Sequence, residues 1–139
     1  MTLSAFLNDF KKPVRADPVL LNDALLPLRV IPPIDYVQFM LESNGAEGFI
    51  KSDDYLMIYP VEQLLPCNEP YGLDASGPNY VIFGSDGGAN AYVFDRGESA
   101  ILKVDSVSMD FGPSQRCGST FSEFIAFLFG PAEVGDDDY

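Results

Sequence analysis

The sequence predicts an α+β fold, a mainly antiparallel sheet with helices packed against it. Three observations predict this class: apolar residues recur at helical spacing before Gly45, short apolar runs separated by turn residues follow, and a capped helix comes near the end. This order is expected when helices are segregated to one face of an antiparallel sheet. We expect one domain over residues 1–130 and a disordered acidic tail over residues 131–139.

Three helices are predicted before Gly45. The first is indicated by apolar residues at the i, i+3, i+4, i+7 spacing, namely Leu3, Phe6, Leu7 and Phe10. The second begins at Asp17-Pro18, because aspartate caps a helix and proline is favoured at the first helical position. Pro27 is expected to end this second helix. The apolar positions of the helix are Leu20, Leu21, Ala24 and Leu25. The third is predicted from Ile34 to Ser43, with Ile34, Val37 and Leu41 along one face and Tyr36 and Met40 adjoining that face.

Strands are predicted wherever a short apolar run lies between turn residues. These runs cover residues 48–50, 55–59, 80–83, 91–94 and 100–104, with a further edge at 107–109. A single helical turn is expected over residues 61–65. The stretch 66–79 is long for a loop and is interpreted as a binding or lid segment.

The glycine-rich segment 84–90 is predicted to be a hairpin turn. A phosphate-binding loop is the alternative, but the segment lacks the Lys-Ser/Thr pair and leads into a strand-like run where a nucleotide site needs a helix. Asp-Gly-Gly is suited to a hairpin because these residues tolerate positive φ.

The final helix is predicted by a capping box, in which Thr120 and Glu123 satisfy free N–H groups at the helix start. Its apolar stripe is interpreted as core, with a partner-binding surface as the alternative. The stripe consists of Phe121, Phe124, Ile125 and Leu128, and Gly130-Pro131 ends the helix.

Charge restricts the class of partner. The chain carries 21 acidic and 8 basic residues, a net charge of −13. Such a chain repels nucleic acid and anionic lipid and attracts a basic protein, although solubility alone also explains the charge. Without a signal-peptide pattern or a long apolar span, and with Cys67 and Cys117 expected to be free thiols, the chain is predicted to be cytoplasmic.

Catalysis is not predicted. The chain has no histidine, which removes the usual general base and the commonest transition-metal ligand. A calcium site of Asp86, Asn90 and Asp95 lacks the EF-hand spacing, and acids near one hairpin (Glu47, Asp53, Asp54) are explained more simply as polar turn residues. We therefore expect no catalytic residues, no metal and no cofactor.

Four motifs in order carry a resemblance to a known family. They are the helix at Pro33, Tyr36 and Phe39 that closes on Asn44-Gly45, the stretch 56–64, the glycine hairpin followed by an aromatic strand ending at Asp95, and the helix from Ser119 to Ile125. Together they resemble the SUKH superfamily, the Smi/Knr-like domain, over most of residues 17–130. Pro32-Pro33 replaces the usual Leu-Pro, and the segment before residue 13 is not part of the pattern.

The resemblance implies a non-enzymatic binding domain with helices against an antiparallel sheet. Many bacterial members are thought to be immunity proteins that neutralise toxins, and fungal relatives regulate cell-wall synthesis. We therefore expect a basic protein partner, such as a secreted toxin domain, that contacts acidic and polar loop residues. The alternatives are a regulatory or scaffold domain that binds an endogenous protein and, more remotely, a metal-dependent carboxylate enzyme. The expected contacts are Glu47, Asp53, Asp54, Asp74, Asp86 and Asn90.

Overall fold

The computed structural model describes residues 14–50, 55–69, 80–96, 100–105 and 115–129. Within these ranges it contains four helices: α1 (Pro18–Leu28), α2 (Ile34–Met40), α3 (Val61–Asn68) and α4 (Phe121–Phe129). Six strands form one sheet: β1 (Ala46–Phe49), β2 (Tyr55–Ile58), β3 (Tyr80–Ser85), β4 (Asn90–Asp95), β5 (Ala100–Asp105) and β6 (Gln115–Gly118). The α+β prediction is confirmed. The predicted first helix, the edge at 107–109 and the acidic tail lie outside the described residues.

The sheet is an antiparallel meander in the order β1-β2-β3-β4-β5-β6. Strand alternation divides its side chains between two faces. One face joins the helices in the main core, and the other holds a second buried cluster of Ile82, Ala91, Val93, Ala100, Leu102 and Val104. None of the described helices is long and apolar enough to cross a membrane.

Aromatic rings fill the main core between the sheet and the helices. Tyr36 of α2 makes edge contacts with Phe94, Phe121 and Phe83 at centroid distances of 4.9, 5.5 and 5.7 Å. Phe83 and Phe94 stack on neighbouring strands at 4.1 Å. The stripe of α4 therefore belongs to the core, as predicted, with Phe121, Phe124 and Ile125 fully buried.

Helix α1 begins as predicted and ends later than predicted. Asp17 Oδ1 accepts a hydrogen bond from the Val19 N–H at 2.8 Å, which confirms the N-cap. Pro27 does not end the helix, which continues for one more residue to Leu28. The helix stops at Arg29, whose φ of 54° is left-handed. Of the apolar positions named for this helix, Leu20 is 51% exposed, and the buried stripe starts at Leu21.

The core face of helix α2 is centred on Tyr36, Phe39 and Met40, and Val37 and Leu41 of the predicted apolar face pack at its margin. Ile34 is 70% exposed, whereas Tyr36, Phe39 and Met40 are buried. Both sets satisfy helical spacing, so periodicity alone could not choose between them. The helix also ends at Met40 rather than Ser43.

The Asn44-Gly45 pair, which follows α2, contacts both β2 and the start of α3. Gly45 has a φ of 90°, and a Cβ there would lie 2.5 Å from the carbonyl oxygen of Ile58. Asn44 Oδ1 accepts the Val61 N–H at 2.7 Å at the start of α3. Any side chain at residue 45 would therefore push the end of α2 away from β2.

Helix α3 is longer than the single turn predicted and includes Pro66 and Cys67. The loop predicted over residues 66–79 is therefore helical at its start, and residues 70–79 lie outside the described ranges. Asn68 at the end of α3 accepts the Ile82 N–H at 2.8 Å and donates to the Ile82 carbonyl at 3.0 Å. β2 stops at Ile58 and does not reach Ile82. The Asn68 side-chain amide therefore makes the hydrogen bonds to β3 that a longer β2 would make there.

Several strand boundaries differ from prediction. β1 and β2 end one residue earlier than expected, at Phe49 and Ile58, and β3 extends through Gly84 and Ser85 into the segment predicted as turn. β6 was not predicted, because Gln-Arg-Cys-Gly has no apolar alternation to indicate a strand.

The start of α4 confirms most of the predicted capping box. The Glu123 N–H donates to Thr120 Oγ1 at 3.0 Å, but the Glu123 carboxylate accepts the N–H of Ser119 at 2.8 Å rather than that of Thr120. Asp35 of α2 adds a cap from outside, accepting the N–H groups of Phe121 and Ser122 at 2.9 and 2.8 Å.

Candidate functional site

One end of the sheet brings several of the predicted contact residues together. Strand register aligns Glu47 with Met57, Met57 with Ser85, and Ser85 with Ala91. The connections β1–β2 and β3–β4 therefore leave the sheet at the same end, which we call the acidic end (Glu47, Phe49, Tyr55, Asp86, Asn90 and Asp105). Asp53, Asp54 and Asp74 lie outside the described residues.

Glu47 is held in place by Tyr55. The Tyr55 hydroxyl donates to Glu47 Oε2 at 2.7 Å across the β1–β2 pair. This hydrogen bond, together with burial and the negative charge of Glu47, raises the pKa of Tyr55. The phenol stays protonated and keeps donating, so the carboxylate has a fixed direction.

An exposed aromatic lies beside this pair. Phe49 is 63% exposed, and its ring meets the Tyr55 ring edge-on at 4.8 Å. Strand alternation places Glu47 and Phe49 on the same face of β1. A carboxylate and an apolar ring are thus presented side by side.

Asp86 shapes the β3–β4 turn. Its Oδ1 accepts the N–H groups of Gly88 and Asn90 at 2.8 and 3.1 Å, and its Oδ2 accepts from the Asn90 side chain at 2.9 Å. Partial burial acts to raise the pKa of Asp86, but these hydrogen bonds and the charge of Lys103 outweigh it and lower that pKa. Asp86 therefore stays charged while it holds the turn, which confirms the hairpin interpretation of this segment.

The ring of Tyr55 also lies close to the β3–β4 turn. A Cβ on Gly87, whose φ is 80°, would lie 3.5 Å from Tyr55 Cδ2. By strand alternation, however, Asn90 and its partner Asp105 project to the face opposite Glu47. The acidic end is therefore an edge with charge on both faces.

The calcium site considered from the sequence is not assembled. Asp86 and Asn90 bond to each other, while Asp95 lies at the far end of β4. Across the described ranges, no three acidic or cysteine side chains come close enough to share a metal ion. Of the two cysteines, neither disulfide-bonded, Cys117 is buried, and burial raises its thiol pKa to about 11 despite the opposing charge of Lys103.

A small cleft of about 170 Å³ adjoins Glu47. It lies between the start of β1, the end of β2 and the first turn of α3; its lining includes Glu47, Met57, Tyr59 and Gln63. Its size suits one long side chain rather than a cofactor.

Sequence reasoning missed Phe49, Tyr55 and Asp105 as parts of this surface. Alternation along β1 places Phe49 on the same face as Glu47, but the sequence pattern indicates Phe49 only as part of a short apolar strand. Asp105 could be placed only once the β4–β5 register set it opposite Asn90.

Comparison with known proteins gives one positive result. A family model described as SMI1 / KNR4 family (SUKH-1) matches residues 31–126, well over half of the chain. It spans α2 to the middle of α4 and includes all of the acidic end. No curated protein matches the chain.

Proposed function

Because the chain belongs to the SMI1 / KNR4 family (SUKH-1), we propose that it is a protein-binding immunity domain that neutralises a bacterial toxin. The family supports a binding domain of this type. The toxin, its basic character and the binding surface are the parts that we propose.

The acidic end carries the proposal. Glu47, ordered by Tyr55, lies next to the exposed Phe49, and Asp86 adds a second carboxylate at the neighbouring turn. Aromatic side chains next to polar groups of fixed direction are typical of residues that dominate binding energy in protein interfaces. The net charge of −13 selects a basic partner.

The mechanism is occlusion rather than chemistry. If the toxin is a nuclease, its basic cleft binds phosphates, and the carboxylates of Glu47 and Asp86 would lie where those phosphates bind. The aromatic pair would exclude water around the charged contacts and so strengthen them.

A charge-neutralising substitution tests the surface. Glu47→Gln keeps an oxygen that can accept the Tyr55 hydroxyl and removes the charge, while Asp23→Asn makes the same change on the exposed side of α1. If a toxin domain is encoded beside this gene, we expect Glu47→Gln to weaken binding to it about tenfold and Asp23→Asn less than twofold. Isothermal titration calorimetry measures both, and equal effects would show that the acidic end is not the interface.

Gene neighbourhood separates immunity from the regulatory alternative. A toxin gene beside this one, and growth rescue when the two are co-expressed, would support immunity. A housekeeping operon and failure to rescue would instead favour a regulatory domain that binds an endogenous partner.

A further inference from the structure

The two edges of the described sheet differ in how they are protected. β6 pairs with β5 through a register shift and exposes Gln115 and Arg116. β1 pairs with β2 in an unbroken register over all four residues and has neither lysine nor proline. Bulges and basic residues block pairing with a further strand, so β1 is the edge that can accept one.

The backbone groups that β1 offers follow from the hydrogen bonds of β2. The Tyr59 N–H donates to the Phe83 carbonyl, so odd-numbered residues of β2 direct their backbone groups toward β3. The even-numbered Leu56 and Ile58 therefore bond to their partners Gly48 and Ala46. It follows that Glu47 and Phe49 point their N–H and C=O groups outward, away from the sheet.

Glu47 and Phe49 also belong to the acidic end. We propose that β1 receives an extended segment of the partner as an added strand, with a Lys or Arg beside Glu47 and an apolar side chain beside Phe49. The inference rests on the proposed function and specifies how the partner binds. Main-chain pairing would supply affinity, and the Glu47 cleft and the Phe49 ring would select the sequence.

Charge decides between a partner strand and a second copy of this chain. Two copies of β1 would bring two Glu47 carboxylates and two bodies of charge −13 together, and like charges directly opposite each other destabilise a strand pair. A partner strand with a Lys or Arg two positions from an apolar residue would instead pair favourably with both Glu47 and Phe49. Such a spacing places the two on the same face of an added strand.

Amide hydrogen exchange tests the pairing directly. The probe is the peptide Thr-Phe-Thr-Lys-Thr-Phe-Thr, in which phenylalanine lies two residues from lysine in both directions, so parallel and antiparallel pairing are both possible. Saturating peptide should slow exchange of the Glu47 and Phe49 amides about tenfold and leave those of Ala46 and Gly48 unchanged. Replacing its lysine with glutamate should weaken binding about tenfold. Unchanged exchange at Glu47 and Phe49, or equal affinity of the two peptides, overturns the proposal.

A pair of substitutions tests it in the partner complex. Phe49→Ala removes the ring and keeps the outward N–H, whereas Phe49→Pro removes both and is compatible with an edge strand. We expect Phe49→Pro to bind the toxin domain at least about tenfold more weakly than Phe49→Ala, with thermal unfolding of the free variants confirming that both fold. Equal affinities would overturn strand addition while leaving the immunity function standing. A toxin domain that binds neither variant nor the wild-type chain would overturn the immunity function instead, and the peptide result would still decide strand addition.

Discussion

Tyr36 carries a polar atom into the centre of the aromatic core. The side chain is fully buried, its hydroxyl has no hydrogen-bond partner in the described part of the chain, and burial raises its pKa well above the usual range. A buried hydroxyl without a hydrogen-bond partner loses its hydration with no compensating hydrogen bond, and this lowers the stability of the folded state. The ring, not the oxygen, stabilises the fold at this position.

Tyr36→Phe is therefore expected to raise the free energy of unfolding by about 1 kcal/mol. Urea denaturation followed by circular dichroism measures it. Tyr55→Phe provides the opposite control, because that hydroxyl donates to Glu47 and its removal should lower stability. A loss of stability in Tyr36→Phe would show that the hydroxyl has a partner.

Asp86 makes stability depend on pH. Its folded-state pKa is lowered, so its contribution is present above the unfolded-state value and is lost as the pH falls through the folded-state value. We expect the difference in unfolding free energy between wild type and Asp86→Ala to be constant near neutral pH and to shrink below about pH 4. Denaturation series at several pH values measure this difference, and one that stays constant down to pH 2 would contradict the expectation.

Among the elements, α3 is hydrogen-bonded to the sheet through the side-chain amide of Asn68. Asn68 is buried and pairs with both backbone groups of Ile82, where β3 extends beyond the end of β2. The amide thus completes the sheet where a strand is missing. Its loss would leave two buried backbone groups unpaired.

Asn68→Ala should lower the free energy of unfolding by about 3 kcal/mol, since each buried unpaired group costs about 1–3 kcal/mol. Asn22→Ala, on the exposed side of α1, should change it by less than about 0.5 kcal/mol. Hydrogen exchange provides a local measurement, because the Ile82 amide should become less protected only in Asn68→Ala. Equal stability of the two variants would refute this role for Asn68.

For the whole molecule, charge controls the rate of encounter with a partner. The net charge of −13 attracts a basic protein from a distance, and salt screens this attraction. The association rate constant with a basic toxin domain should fall at least about tenfold between roughly 0.05 and 0.5 M salt, with a much smaller change in dissociation. Stopped-flow fluorescence measures both constants. A salt-independent association rate would mean that the charge serves solubility alone.

The sequence by itself determined the fold class, most of the element positions and the family. Caps and stops such as Asp17, Gly45 and Thr120 act through their immediate neighbours in the chain, so local patterns reveal them. Glu47, Asp86 and Asn90 could be selected as contacts by charge and turn position, and the structure places all three at one end of the sheet.

Only the tertiary structure decided which helix faces are buried, where the sheet ends and what surrounds Glu47. Ile34 and Tyr36 both fit helical spacing, and packing against Phe94 and Phe121 selects Tyr36. Asn68, Asp35 and the Phe49–Tyr55 pair act on residues distant along the chain or across a strand register. Such contacts depend on long-range pairing, which no local spacing of residues encodes.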